Sequence, residues 1–267
     1  TEKASPGFYE VKLDEHDIDI RLTATIRVGI HEYTFNEGGN SNIILDLVHR
    51  DELIKDSLHF VGNNEVEGFR VSSAWASEQH VYFVAQFSKE CKSHILDSAG
   101  KRAAFIFDTK PHEKIVVRVG ISATSIEGAR KNLEAEAPHW DFDKYLSDAK
   151  STWETALRKI EIEDENKDKK SIFYTALYHS MIAPNTFSDV DGKYRGMDHK
   201  IHESDETTYT VFSLWDTFRA AHPLYTIIEQ KKTNEFINTF LHQYQQGGAL
   251  PIWELAANYT GCMIGYH

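Results

Sequence analysis

The chain has 267 residues, with 29 Lys and Arg against 41 Asp and Glu and a net charge of −12. That balance argues against nucleic acid and anionic membrane surfaces, which both need clustered basic side chains. No apolar run approaches the ~18 residues of a membrane span. The apolar share of 41% suits a globular protein with a real core. The two cysteines, Cys91 and Cys262, are far apart, which excludes a CxxC-type zinc site and points to two buried free thiols.

The first half reads as strands. Phe8–Leu13 alternates loosely. Ile18 to Phe35 carries Ile20, Leu22, Ala24, Ile26, Val28 and Ile30 at every second position, the mark of a long half-buried strand. Asn36 to Asn40 is a turn, and Asn42 to Val48 is the next strand. Val66–Ser72, His80–Phe87, Ala104–Asp108 and Lys114–Ser122 follow, separated by turn-rich stretches. Short strands at this spacing with no helix between them predict an antiparallel sandwich.

The pattern changes near Thr124. Ser125 is placed to cap a helix over Ile126–Glu134 that Pro138 breaks. Asp141 is placed to cap the next helix, with Tyr145, Leu146, Ala149, Trp153, Ala156, Leu157 and Ile160 at helical spacing. After a charged link over 161–170, Ile172 to Met181 predicts another amphipathic helix, stopped before Pro184. Val211 to Ile228 reads as a helix that Pro223 kinks or splits. Thr233 is placed to cap a last one, ended by Gly247-Gly248. No strand pattern returns after Ser122. Two domains are therefore expected, 1–124 as an incomplete antiparallel β-sandwich and 125–267 as all-α. The helices could form a bundle, but the apolar residues from Gly248 to His267 need a surface to pack on, so the helical domain is expected to continue past His267. The start, Thr1-Glu2-Lys3, has no initiator Met and no signal-peptide pattern.

Few motifs carry chemistry. Trp215-Asp216-Thr217-Phe218-Arg219 lies in an apolar stretch. Asp216 and Arg219, three apart, suit a surface ion pair on a helix, with Trp215 in the core. They equally suit a sugar site, where Trp faces a pyranose ring and Asp accepts hydrogen bonds from adjacent hydroxyls. Ser188-Asp189-Val190-Asp191-Gly192 opens like a calcium loop, but position twelve from Asp189 is Lys200, so a polar turn is the expectation. Glu254 is the one carboxylate of the apolar C-terminal segment. It reads either as a first-turn glutamate after Pro251 or as a buried acid with a raised pKa. Asn258-Tyr259-Thr260 fits a glycosylation sequon. The histidines show no HExxH spacing, and no Ser-His-Asp set, GxSxG or phosphate loop occurs.

Three long blocks closely resemble signatures of glycoside hydrolase family 92: YTALYHSMIAPNTFSDVDGKYRGMD at 174–198, YTVFSLWDTFRAAHPL at 209–224, and GALPIWEL to GCMIGYH at 248–267. The opening EKASPGFY at 2–9 resembles a segment inside that family's N-terminal domain. The resemblance implies a β-sandwich followed by the first helices of an (α/α)6 barrel. It implies an inverting exo-α-mannosidase, acting on mannose-containing oligosaccharides of N-glycans or mannan, with α-1,2 linkages expected. It further implies a Ca²⁺ ion at O2 and O3 of the terminal mannose, and a periplasmic, cell-surface or secreted location in a bacterium. Trp215 and Asp216 match the family's Trp-Asp pair lining the mannose pocket. Arg219, Glu254 and Tyr259 lie in matching blocks and are expected at the substrate. Many members carry Glu where this sequence has Tyr259, which points to a changed substrate preference. The family's Glu-Gly-Asn and Gly-Asn-Asp blocks, which hold the acid and base, do not occur here, so this chain alone is expected to be inactive, and no residue of it is assigned to the metal. Two other classes stay open: a non-catalytic carbohydrate-binding or structural module, and another α/α-barrel sugar hydrolase or phosphorylase.

Overall fold

A computed structural model describes residues 1–263. The chain divides into two compact units, Thr1–Ala74 with His80–Lys150, and Trp75–Gln79 with the residues from Ser151 onward.

The first unit holds eleven strands in chain order: β1 (Glu2–Ser5), β2 (Phe8–Leu13), β3 (Ile18–Ala24), β4 (Val28–Phe35), β5 (Gly39–Asp46), β6 (Glu52–Val61), β7 (Glu65–Ser73), β8 (Gln79–Phe87), β9 (Ser93–Leu96), β10 (Arg102–Thr109) and β11 (Glu113–Ser122). Eight form one sheet in the order β1-β2-β3-β4-β11-β8-β7-β6, and β5-β10-β9 form a second. Alternation along the strands explains the layering. On β11, Ile115 and Val117 face Phe35, Phe87, Phe105 and Phe107 in the core shared with the smaller sheet. Val116, between them, faces the opposite way, into a second core with Val28, Ile30 and Val84. That second core is covered by two helices, α1 (Ile126–Glu136) and α2 (Phe142–Leu157), through Ala129, Leu133, Phe142 and Tyr145. The central strands of the large sheet, β4, β11 and β8, are thus buried on both faces. Fully buried side chains such as Phe105 and Phe107 contribute about 1.5–3 kcal/mol each by leaving water.

Small details fix the helices. A Cβ on Gly120 would lie 2.5 Å from the Ala129 carbonyl oxygen, so only glycine lets α1 approach β11 this closely. Ser125 caps α1 by accepting from the Gly128 N–H at 3.0 Å, and Asp141 accepts from the Lys144 N–H at 3.1 Å at the start of α2. Arg130 of α1 reaches Glu65 and Glu67 of β7, each at 2.7 Å.

The predicted long strand over 18–35 is two strands. The chain turns at Thr25–Arg27, where Thr25 N–H donates to the Val28 carbonyl at 2.9 Å, and Ile26 stands exposed at the tip. With no Gly or Pro at the turn, alternation runs unbroken through it. Strand β6 was not expected from the sequence. It is an edge strand, and Lys55, Asp56 and His59 hide its period as edges commonly do. Cys91 is a buried free thiol, but Cys262 is free and partly exposed.

The second unit contains α3 (Lys167–Ser180), α4 (Leu214–Thr217), α5 (Ala221–Ile228) and α6 (Gln230–Gly247). It also contains short strands that the sequence reading did not expect: β12 (Asn185–Thr186), β13 (Lys193–Arg195), β14 (Ile201–Glu203), β15 (Tyr209–Thr210), β16 (Phe212–Ser213), β17 (Trp253–Leu255) and β18 (Asn258–Tyr259). At two or three residues each, they are too short to show a period. The predicted helix over 211–228 is therefore corrected. Its start is strand, α4 is one turn, and α5 opens with Pro223 in its first turn, where the missing N–H costs nothing. Thr233 does not cap α6. It lies inside the helix, its hydroxyl donating to the Glu229 carbonyl at 3.1 Å, while Gly248 ends the helix at φ 80°. Phe212, Tyr209, Tyr225 and Phe236 form this unit's aromatic core. Along α6, Ile237, Leu241 and Tyr244 share one face and stay about half exposed. No helix among the described residues is long and apolar enough to cross a membrane.

Candidate functional site

The three sequence blocks meet in the second unit, strand against strand. Asn185 and Thr186 of the first block pair with Thr210 and Tyr209 of the second. Phe212 and Ser213 of the second pair with Glu254 and Trp253 of the third. Glu254 and Leu255 pair in turn with Tyr259 and Asn258. The Leu214 N–H donates to the Ile252 carbonyl at 2.9 Å, which extends the second contact to the residue before Trp215. The end of the third block, Ile264 to His267, lies outside the described residues.

Glu254 sits at the centre of this junction and is fully buried. Its carboxylate accepts from the Thr210 hydroxyl at 2.8 and 3.1 Å, from the Val211 N–H at 3.1 Å and from the Ala257 N–H at 2.7 Å. Thr210 Oγ1 itself accepts from the Ala256 N–H at 2.7 Å. The hydroxyl therefore relays one backbone donor to the carboxylate. Burial pushes the Glu254 pKa up to about 7, and the hydrogen bonds from Ala257, Thr210 and Val211 oppose that rise. Of the two sequence readings of Glu254, the structure shows the buried acid on a strand, not the helix-start glutamate.

The same residues are where the backbone is strained. Val211, Ala256 and Ala257 have φ of 68°, 49° and 64°. Positive φ is unusual for alanine and a marked outlier for β-branched valine. Each such residue costs on the order of 1–3 kcal/mol and persists only where surrounding bonds over-determine it. Here the N–H groups of all three end on Glu254, directly or through Thr210.

Around this hub stand the other expected residues. Trp215 and Asp216 are both exposed on the single turn of α4. Asp216 accepts from the Ser213 hydroxyl, which sets its rotamer. Asp216 and Arg219 do not pair. The Arg219 guanidinium lies 5.1 Å from the ring centre of its neighbour Phe218. Tyr259 is half exposed, with its backbone opposite Glu254. Thus the structure joins Glu254 and Tyr259 to the strand that leads into Trp215 and Asp216, and it does not join Arg219 to them. A cavity of about 10 Å³ abuts Glu254, lined also by Tyr194, Arg195, Tyr209 and His242. That is room for about one water molecule and not for a sugar.

Sequence reasoning missed Trp75. The segment Trp75–Gln79 belongs to this unit although the β-strands flank it in sequence. Trp75 is 63% exposed and meets Trp253 edge-on at 5.4 Å. The segment is tied down by Asn258, whose amide oxygen accepts from the Ser77 hydroxyl at 2.9 Å and the Glu78 N–H at 3.2 Å, while its amide nitrogen donates to the Glu78 carbonyl at 3.0 Å. The available signal was a tryptophan in the turn-like stretch Ser72–Ser77. Asn258 is only 3% exposed, so the sequon is a structural amide with its donors and acceptor in use.

The calcium-like stretch is a turn, as expected. The Gly192 N–H donates to the Asp189 carbonyl at 3.0 Å, and Asp189 is buried. Within neither unit do three or more Asp, Glu, His or Cys among the described residues offer ligand atoms within 4.8 Å of one another.

Residues 1–122 match the glycosyl hydrolase family 92 N-terminal domain and residues 128–267 the family 92 catalytic domain. The chain belongs to glycosyl hydrolase family 92. A family GH92 α-mannosidase from Bacteroides thetaiotaomicron superposes with a TM-score of 0.92 at 33% identity, over 100% of this chain and 39% of that one. It has also been solved in complex with mannoimidazole. A family GH92 inverting mannosidase from Bacteroides thetaiotaomicron VPI-5482 superposes with a TM-score of 0.89 at 25% identity, over 99% of this chain and 38% of that one. An uncharacterised secreted glycosidase of Arthroderma benhamiae is 25% identical over 224 residues, 70% of this chain and 29% of that protein. The chain thus spans about two-fifths of the solved relatives' length.

Proposed function

We propose that the full-length protein carrying this chain is an exo-acting α-mannosidase that hydrolyses terminal α-linked mannose with inversion. The observation that carries the proposal is the whole-chain likeness to α-mannosidases, at 33% identity with a TM-score of 0.92. The junction of the three blocks supports it, because the exposed Trp215 and Asp216 lie on the helical turn α4 that directly follows β16, and β16 is paired through β17 with the strand of Tyr259. In this reading Trp215 walls the terminal-mannose pocket and Asp216 accepts hydrogen bonds from its hydroxyls. Arg219 and Tyr259 contact the sugar or its aglycone, and Trp75 adds an apolar face.

Inversion needs one carboxyl as acid and a second as base for a water on the opposite face of the ring. Glu254 is enclosed and fits neither task, so both are assigned to polypeptide outside these residues, as are the calcium ligands. Bound calcium would help distort the mannose ring. The uncovered face of α6 suits a helix packed within an (α/α)6 barrel. Export from the cell fits the secreted glycosidase relative of Arthroderma benhamiae, and a bacterial source fits the two Bacteroides thetaiotaomicron mannosidases. The test of the chemistry is proton NMR of a fresh digest of an α-mannoside. β-Mannose appearing first supports inversion, and α-mannose appearing first overturns it.

A further inference from the structure

We infer that Glu254 is a positioning residue, a buried carboxylate that sets the backbone on which Trp215, Asp216 and Tyr259 are presented to the sugar. The inference rests on the α-mannosidase reading above for its ligand, but its geometry stands without it.

Three donors converge on one carboxylate from two blocks far apart in sequence, and a fourth is held by one of those three. Val211 and Thr210 come from the strand pair that leads into Trp215 and Asp216. Ala257, and Ala256 through Thr210, come from the turn between β17 and β18 that leads into Tyr259. The three residues whose N–H groups are gathered are also at positive φ. In that conformation the N–H of Val211 cannot serve a regular strand ladder, and the carboxylate takes it instead. Removing the acceptor leaves the Val211 and Ala257 N–H groups and the Thr210 hydroxyl unanswered, and frees the hydroxyl that holds the Ala256 N–H to turn away. The backbone would then relax where it supports the sugar-facing residues.

The carboxylate does this only as an acceptor. A protonated carboxyl turns one acceptor into a donor that only the Thr210 hydroxyl can accept, which reverses that contact and weakens the protonated oxygen as an acceptor for its backbone N–H. Other ionisable side chains near the group are Arg195 and Tyr194 of β13, Tyr209 of β15 and His242 of α6, which line the adjoining cavity. None of them is a hydrogen-bond partner of Glu254. The latch should therefore tighten as pH rises through the Glu254 pKa of about 7.

The experiment uses the full-length enzyme and Glu254→Gln, which keeps the shape but replaces one acceptor by a donor. On an α-mannobiose, the ratio of wild-type to E254Q kcat/KM should be about tenfold or more near pH 8, expressed chiefly in KM, and should shrink towards about pH 5.5. A purely structural lesion would give a ratio independent of pH. A ratio below about twofold, or one flat with pH, overturns the inference. Should E254Q not fold, Thr210→Val and Thr210→Ser decide the matter. Loss in T210V with recovery in T210S supports the relay, and equal activity in both overturns it. If the wild-type enzyme releases no mannose, the functional reading fails. Hydrogen exchange then reads the latch alone: faster exchange over residues 208–216 and 253–260 in E254Q supports it, and unchanged protection overturns it.

Discussion

Replacing Glu254 by Gln also gives a stability prediction whose size follows from the structure. The Glu254 pKa rises from its ordinary 4.5 to about 7 because burial penalises the charged form more than its hydrogen bonds favour it. The folded protein then holds this proton more tightly than the unfolded chain. The group's stabilising contribution is full below about pH 4.5 and is lost as pH rises through about 7. At ~1.4 kcal/mol per pKa unit, linkage gives a loss of roughly 2–3 kcal/mol between pH 5 and pH 8. Glutamine does not titrate. The stability of wild type relative to E254Q should therefore fall by that amount over the interval, whatever offset the substitution adds at every pH. Urea unfolding of the two full-length proteins at a series of pH values measures the difference. A difference constant to within ~0.5 kcal/mol would refute the raised pKa, because linkage makes the slope unavoidable if the pKa is shifted. Together with the latch, the sign implies a conflict: the ionised carboxylate aligns the site best and costs the fold most.

Three further outcomes follow from named contacts. Asp216→Ala should cut kcat/KM on an α-mannobiose by about 10²-fold or more if Asp216 meets mannose hydroxyls in the transition state, and a change under about threefold would remove that role. Asn258, buried and engaged with Ser77 and Glu78, should stay unmodified in a glycosylating host, as mass spectrometry of the tryptic peptide would show, and Asn258→Ala should loosen the Trp75 segment to limited proteolysis. Phe105→Ala, at the centre of the sandwich core, should cost about 3–5 kcal/mol on unfolding in urea, against near-neutral effects at exposed Ile44.

Much of the fold was legible because its signals are local. Ser125 and Asp141 cap the helices the sequence assigns to them, and alternation located the interior strands to within a residue or two. The failures share a physical cause. Ile18 to Phe35 alternates through a hairpin whose turn carries no glycine or proline, so the pattern could not show the break. Strand β6 is polar because it lies at an edge. Phe212 and Ser213 look helical by the apolar spacing around them, but long-range pairing with Glu254 and Trp253 holds them extended, and no window of sequence contains both partners. The candidate site divides the same way. Trp215, Asp216 and Tyr259 stood out as residue types in motif blocks. The enclosure of Glu254, the separation of Asp216 from Arg219 and the arrival of Trp75 depend on the packing of distant segments.

The most direct test is mannose release from α-1,2-mannobiose by the full-length protein, assayed with calcium, then with EDTA, then with calcium restored. The account predicts release that EDTA abolishes and calcium returns. No release under any of these conditions would contradict the α-1,2-mannosidase reading, and release undiminished by EDTA would contradict its calcium dependence.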